Sequence, residues 1–271
     1  VKTFLTGGSG TIGKNFPESV IRLNIDLEQN KGLEVPEIKK CRFNFIHAAA
    51  IVGNLAVSSN LKKAYKINVE STKILAELCL SSDLNKFLYV STSHVYKRNS
   101  EFIDENSDIE PTSAYSDQKR MAEIELTEIF RNIPEKLLIL RVFSILDWDM
   151  PEYSLGGAVR KLISEKINLI NYGDDIRDFM TPFIAAKTIS ELILNTNADG
   201  ILNVCTSKPR KVSDAVGEML VQAGKSHLTN QIIANKSSNP IMVGSNKKLL
   251  NYLPNGIPEW VPSLPFYKNE N

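Results

Sequence analysis

The segment Phe4-Leu5-Thr6-Gly7-Gly8-Ser9-Gly10-Thr11-Ile12-Gly13 constrains the fold of this chain more than any other. It leads from a short apolar run, Val1 to Thr6, through glycines at 7, 10 and 13 and into a helix-forming pattern. In a strand, loop and helix unit of this kind the first glycine permits a tight turn. The second lets backbone approach a pyrophosphate, and the third lets helix and strand pack closely, while the helix N-terminus offers free N–H donors. A glycine triplet alone is equally a flexible turn. Its place between strand and helix at the head of the domain favours a dinucleotide-phosphate loop, with Gly7, Gly10, Thr11, Ile12 and Gly13 as contacts.

The chain beyond Gly13 repeats the alternation that such a loop requires. Runs at 2–6, 21–25, 43–46, 86–91 and 136–143 are rich in Val, Ile, Leu and Phe and read as strands buried on both faces. Between them, 11–19, 61–81 and 113–131 carry apolar residues at three and four spacing and read as crossover helices. The pattern predicts an α/β fold, a Rossmann-type doubly wound parallel sheet formed by 1–145. A smaller C-terminal α/β substrate lobe is expected from 146–180 and 206–271. It would hold a helix at 157–165, strands at 167–170 and 176–180, and helices at 213–223 and 245–252. The helix 184–194 and the strand Ile201 to Cys205 are expected to return to the main sheet, so that about 181–205 rejoins it.

The first crossover is short: Pro17 falls early in it, and little chain separates Gly13 from Asp26. Asp26, with its neighbour Leu27, is placed at the adenosine end of a cofactor, where its carboxylate either holds a hydroxyl or adenine edge or is a solvated strand-end group. Lys14 and Arg22 are candidates for a 2′-phosphate, or surface cations only. NAD and NADP both remain open.

Composition narrows the class. With 271 residues, 42% hydrophobic, the chain can bury one large core. A formal net charge of +1 provides no field for nucleic acid or an acidic membrane surface, and neither partner is expected. Cys41, Cys79 and Cys205 are far apart and form no metal-ligand spacing, so no metal site is expected and a reducing, cytoplasmic setting fits. The most apolar stretch, from Phe45 to Val57, is broken by His47, Gly53 and Asn54 and is too short for a membrane span. Because Val1 to Thr6 already reads as a strand, no secretory leader is expected.

The chemistry is carried by Tyr115 and Lys119. Their spacing puts phenol and ammonium on one face of a helix. A phenol with an ordinary pKa near ~10 is a poor acid or base at neutral pH, but a neighbouring Lys cation and the positive nicotinamide both favour its phenolate. A hydroxyl at the end of a neighbouring strand would complete the set, and Ser91, Thr92 and Ser93 are the candidates. Thr92 is the choice: it would hold a substrate oxygen against Tyr115 and share the charge that develops there.

These segments resemble the extended short-chain dehydrogenase/reductases, in particular the NAD(P)-dependent epimerase/dehydratase group that acts on nucleotide sugars. The resemblance rests on Thr6 to Gly13, Ile46-His47-Ala48-Ala49-Ala50, Asn68-Val69-Glu70-Ser71-Thr72, Val90-Ser91-Thr92-Ser93-His94-Val95-Tyr96, and Tyr115 with Lys119. Further on, Gly173-Asp174-Asp175-Ile176-Arg177-Asp178-Phe179-Met180 is similar to that family's Arg-Asp-Phe segment, and Gly200 to Val204 to its later Asn-containing strand.

The resemblance implies that Ala48, Ala49 and Ala50 line the dinucleotide, that Thr92, Tyr115 and Lys119 are catalytic, and that Lys119 also bridges the cofactor ribose. Arg177 would clamp a substrate diphosphate, or else pair with Asp174 or Asp178. Ser93, His94 and Ser144 fall at substrate-contacting positions; His94 stands where the family often has an extra acid or base, though a plain loop histidine is the alternative. His47 is expected to be a satisfied core imidazole.

The departures have meaning too. The Asp-Glu pair that serves the family's dehydratases after the catalytic Thr is Ser93-His94 here, which disfavours dehydration. The family's Asn after the sixth strand is Ser144, its following Gly-Pro is Asp147-Trp148, and the acidic pair after Arg-Asp-Phe is Phe183-Ile184.

The implied activity is hydride transfer at a sugar carbon, C4 of a nucleoside-diphosphate hexose, by a 4-ketoreductase or an epimerase. The competing readings are a reductase of another carbonyl compound and a non-catalytic dinucleotide-binding sensor or scaffold. Helices 61–81 and 113–131 would pair with a second copy in a homodimer, or else face the sheet entirely.

Overall fold

The computed structural model describes residues 1–29, 38–98, 102–165, 169–170, 175–233 and 241–263. Chain order runs β1 (Lys2–Thr6), β2 (Val20–Arg22) and β3 (Phe43–His47), then α1 (Asn54–Ser59) and α2 (Leu61–Tyr65). A π-helical turn, Lys66–Glu70, joins α2 to α3 (Ser71–Leu80). Next come β4 (Leu84–Thr92), α4 (Ala114–Ile129), β5 (Leu137–Val142), β6 (Ser144–Ile145), α5 (Leu155–Glu165), β7 (Leu169–Ile170) and β8 (Ile176–Met180). The chain continues with α6 (Pro182–Asn195), β9 (Gly200–Val204), β10 (Pro209–Lys211), α7 (Val212–Gln222), β11 (Ile232–Ile233) and β12 (Ile241–Met242).

The main sheet has six strands in the order β2-β1-β3-β4-β5-β9, and every pair is parallel. This is the expected Rossmann-like sheet, covered on both faces. Because side chains alternate along a strand, one face carries Leu5, Ile46, Leu88, Leu140 and Leu202 against Ala185, Ile189 and Leu192 of α6. The opposite face carries Phe4, Phe45, Phe87 and Ile139 against Leu75 of α3 and Ala122 and Leu126 of α4. Each such side chain contributes roughly 1.5–3 kcal/mol on burial.

A second core gathers Leu146, Trp148, Val159, Leu162, Phe179, Val216, Met219 and Trp260. Beside it, β8 pairs with β6, β10 and β12, while β7 pairs with β11.

Four expectations need correction. Helix 11–19 does not form: after a 3-10 turn at Gly13–Asn15 the backbone extends at Phe16, with φ −66° and ψ 149°. Pro17 is the reason, since the residue before a proline is pushed out of helical geometry and the proline itself lacks a donor. The Phe16 ring, 4% exposed, packs into the core on the α6 side instead. The second strand accordingly occupies 20–22 rather than 21–25. The 61–81 segment is helical as far as Leu80 but passes through the π turn, and 245–252 has only a 3-10 turn at Leu249–Asn251. Part of the strand expected at 167–170 lies outside the described residues.

Candidate active site

The C-terminal ends of β1, β3, β4 and β5 open onto a cleft of about 1100 Å³. Its floor begins at the glycine loop. Gly7 has φ +78°, and a Cβ there would stand 2.6 Å from the nitrogen of Ala49. A Cβ on Gly13 would overlap the Gly7 carbonyl. The loop after β1 can therefore lie against the loop after β3 only with glycine at 7, and it can fold onto itself only with glycine at 13. Gly7, Gly10, Thr11, Ile12, Gly13, Ala48, Ala49 and Ala50 all line the cleft. Such a backbone-lined cradle fits a dinucleotide phosphate.

The wall after β3 is held by Asn68, a residue to which neither spacing nor family resemblance assigned a role. Lying in the π turn, it accepts from the Ile51 N–H at 2.8 Å, donates to the Ile51 carbonyl at 3.0 Å and donates to Gln118 Oε1 at 2.9 Å. π turns inside helices often re-aim a side chain at functional sites. His47 is the satisfied core imidazole expected: it is fully buried, with Nδ1 2.6 Å from Thr6 Oγ1 and Nε2 2.9 Å from Thr72 Oγ1. Burial, and then the nearby charge of Lys119, lower its pKa to about 3.

Asp26 and Leu27, expected at the adenosine end, line the cleft together with Ile25 and Glu28. Asp26 Oδ1 accepts from the N–H groups of Glu28 and Gln29, each at 3.0 Å, and Glu28 pairs with Lys63 at 2.6 Å. Lys14 lines the cleft and is ion-paired with Asp149. Arg22 is not among the lining residues; it donates to the Phe16 carbonyl at 2.7 Å.

The chemical end is built by β4 and α4. Ser113 caps α4 in a reciprocal box with Ser116, which starts the helix just ahead of Tyr115. Thr92, Tyr115 and Lys119 all line the cleft, and Thr92 Oγ1 accepts from the His94 N–H at 3.3 Å. The other two hydroxyls at the strand end are occupied or turned away: Ser91 donates to Glu123 at 2.6 Å, and Ser93 is buried outside the cleft lining. Lys119 donates to the Val90 carbonyl at 2.6 Å and lies over the Tyr89 ring.

Burial dominates the electrostatics of Tyr115 and Lys119. Burial pushes the Tyr115 phenol above its usual range, the Tyr153 phenol adds to that, and the Thr92 hydroxyl only partly opposes it. Lys119 is absent from these causes. Burial lowers Lys119 itself to about 7, against an upward pull from Glu123. In the free protein, then, Tyr115 is a neutral phenol beside an amine that titrates near neutrality.

His94 and Ser144, expected to contact substrate, line the cleft with Arg98, Tyr153 and Met150. Burial, with Arg177 and Arg98 nearby, lowers His94 to about 4 and keeps it neutral at pH 7. Arg177 does not line the cleft: it donates to Asp175 at 2.7 Å. Asp178 instead accepts from Thr206 and Ser207, and burial raises its pKa to about 6. Asp174 lies outside the described residues. Arg98 and Tyr153 had no signal in the sequence, because no spacing ties them to Tyr115. Among the described residues no group of acidic, His and Cys side chains could hold a metal, and no helix is long and apolar enough to cross a membrane.

Comparison with known proteins agrees with this architecture. The chain is 25% identical over 280 residues to a GDP-6-deoxy-D-talose 4-dehydrogenase of Aggregatibacter actinomycetemcomitans, covering 94% of this chain and 92% of that protein. It is 24% identical over 218 residues to an uncharacterized UDP-glucose epimerase of Bacillus subtilis (strain 168), covering 77% and 68%. The fold is shared with the crystal structure of UDP-glucuronic acid 4-epimerase from Bacillus cereus in complex with UDP-glucuronic acid and NAD, with a TM-score of 0.77, 19% identity and coverage of 97% and 94%. Residues 38–205 match the family model described as the NAD dependent epimerase/dehydratase family, and the chain belongs to that family.

Proposed function

We propose that this protein is an NAD(P)-dependent oxidoreductase or epimerase of a nucleoside-diphosphate sugar, with hydride transfer at C4 of the hexose. The observation that carries the reading is that Thr92, Tyr115 and Lys119 line one cleft that runs from the glycine loop to Ser144. Bound nicotinamide supplies the hydride acceptor or donor. Gly7, Gly10, Thr11, Ile12 and Gly13 would hold its pyrophosphate, Ala48, Ala49 and Ala50 would flank it, Asp26 and Leu27 would meet the adenosine, and Lys119 the nicotinamide ribose. Asp26 and Glu28 at the adenosine end favour NAD, because a 2′-phosphate beside two carboxylates is repelled.

The protein's own part is to position an oxygen and move a proton. Thr92 donates to or accepts from the C4 oxygen and holds it against Tyr115. A neutral Tyr115 is the form that gives a proton to a ketone oxygen as hydride arrives at carbon. In the reverse direction Tyr115 must first lose its proton, and Lys119, titrating near neutrality, is the adjacent group able to take part. His94 and Ser144 face the sugar. Arg177, held by Asp175, bears on the cleft as a charge beside His94. Ser93, buried away from the cleft, shapes the turn rather than touching substrate.

Replacing Tyr115 with Phe tests the reading. Turnover of a nucleotide-sugar substrate is expected to drop ~10²-fold or more, as for loss of a general acid, while cofactor affinity survives. Unchanged turnover would sink it. Release of oxidised cofactor on each turnover would identify a reductase, and retention an epimerase. Exposed Leu78 on α3 and Met121 and Ile124 on α4 support pairing of these helices with a second copy, which light scattering would detect.

A further inference from the structure

A glycine loop ordinarily draws on two sources of attraction for phosphate: the N–H groups of the loop and the positive end of the helix after it. In this chain the second source is gone. One 3-10 turn, Gly13–Asn15, is all that remains before the extended Phe16 and Pro17, and a single turn stacks too few peptide dipoles to present a charged end. The glycines that make the cradle are nevertheless present and geometrically required.

Lys14 occupies the place where the helix would begin. Its backbone nitrogen donates to the Gly10 carbonyl at 3.0 Å, so its stem starts from the loop itself. Its side chain lines the cleft and reaches the Asp149 carboxylate, with a further contact to the Asp149 carbonyl at 3.3 Å. Asp149 lies on the segment after β6 and lines the same cleft. The pair is open to water, with side-chain exposures of 39% and 77%, and such pairs hold weakly. A phosphate oxygen held over Gly10 to Gly13 by the loop N–H groups would offer Lys14 a better-fixed anion than an exposed carboxylate.

We propose that Lys14 is the phosphate-binding cation of this protein: it stands in for the missing helix end and exchanges Asp149 for the pyrophosphate of the dinucleotide. The inference rests on the dinucleotide reading above and deepens it. It follows that Asp149 is a competitor of the cofactor, and that cofactor binding frees the segment after β6, which forms part of the substrate side of the cleft.

The test is calorimetric binding of ADP-ribose, which carries the pyrophosphate but no nicotinamide, to the full chain. Lys14→Gln is expected to weaken binding about tenfold or more, the scale of one charge-assisted hydrogen bond, with the melting temperature of the free protein unchanged. Lys14→Arg should stay within a few fold of wild type, and Asp149→Asn should bind several fold more tightly. Wild-type affinity should also fall more steeply with added salt than that of Lys14→Gln. Equal affinity of wild type and Lys14→Gln would overturn the assignment, as would weakening by Asp149→Asn. A wild-type chain that binds no ADP-ribose would remove the dinucleotide reading as well, which separates the two failures.

Discussion

The imidazole of His47 has a hydroxyl at each nitrogen, and their directions fix its tautomer. Thr72 gives its proton to the Asn68 carbonyl at 3.0 Å, so it accepts from Nε2–H of His47, and Nδ1 is left to accept from Thr6. With a folded pKa of about 3 against an unfolded 6.5, the unfolded chain binds a proton between those values that the folded one does not. Stability is therefore lost as pH falls from 6.5 towards 3, by up to ~1.4 kcal/mol per pH unit from this group. Urea unfolding at several pH values is expected to show a shallower acid loss for His47→Gln than for wild type; identical slopes would disprove it. Glu123 is a second buried residue with a large expected effect. It accepts from Arg141 at 2.7 and 3.1 Å and from Ser91 at 2.6 Å, and both members of the ion pair are buried. Removing it by Glu123→Ala strands a buried guanidinium, and a loss of roughly 3–5 kcal/mol in denaturant unfolding is expected.

Among the elements, the π turn between α2 and α3 does what a regular helix would not. It places Asn68 where its amide can satisfy both backbone groups of Ile51, and so fixes the loop that carries Ala48 to Ala50. Asn68→Ala leaves those two groups without a side-chain partner, which is expected to lower stability by about 1–3 kcal/mol. Cofactor affinity should fall with it while turnover at saturating cofactor is kept, since no reacting atom is touched; a loss confined to turnover would contradict this role. Gly7 constrains the packing of two loops in the same way. A side chain there meets both a left-handed backbone and the peptide of Ala49. Gly7→Ala is expected to weaken cofactor binding by spreading the loops after β1 and β3, as titration of NADH fluorescence would show.

The whole molecule is organised around one cleft, whose walls come from the main sheet on one side and from the segment carrying Asp149, Met150 and Tyr153 on the other. A ligand that fills it stabilises both walls by mass action. At one hundred times its dissociation constant, a bound dinucleotide is expected to add ~2.7 kcal/mol. In a chain of this size that is a rise in melting temperature of several degrees. A panel of nucleotide sugars added with NADH or NADPH would rank base and cofactor by the same readout.

Local steric rules and periodicity are written in the order of the residues, and they account for what could be read before any fold was known. The glycine spacing, the alternation of apolar runs with helical patterns, and the four-residue step from Tyr115 to Lys119 are all properties of near neighbours along the chain, and they led to the sheet, the loop and the face of α4 that meets the cleft. Pro17 even marked the shortened crossover. Whatever depends on distant partners came from the packed chain alone. Packing seated the Phe16 ring in the core against α6 and brought Arg98, Tyr153 and Asp149 to the cleft from segments far apart in the chain. Packing also set the electrostatics: burial raises the Tyr115 phenol and lowers Lys119 to about 7, shifts that no spacing encodes, because the cost of a charge is set by the water that folding removes.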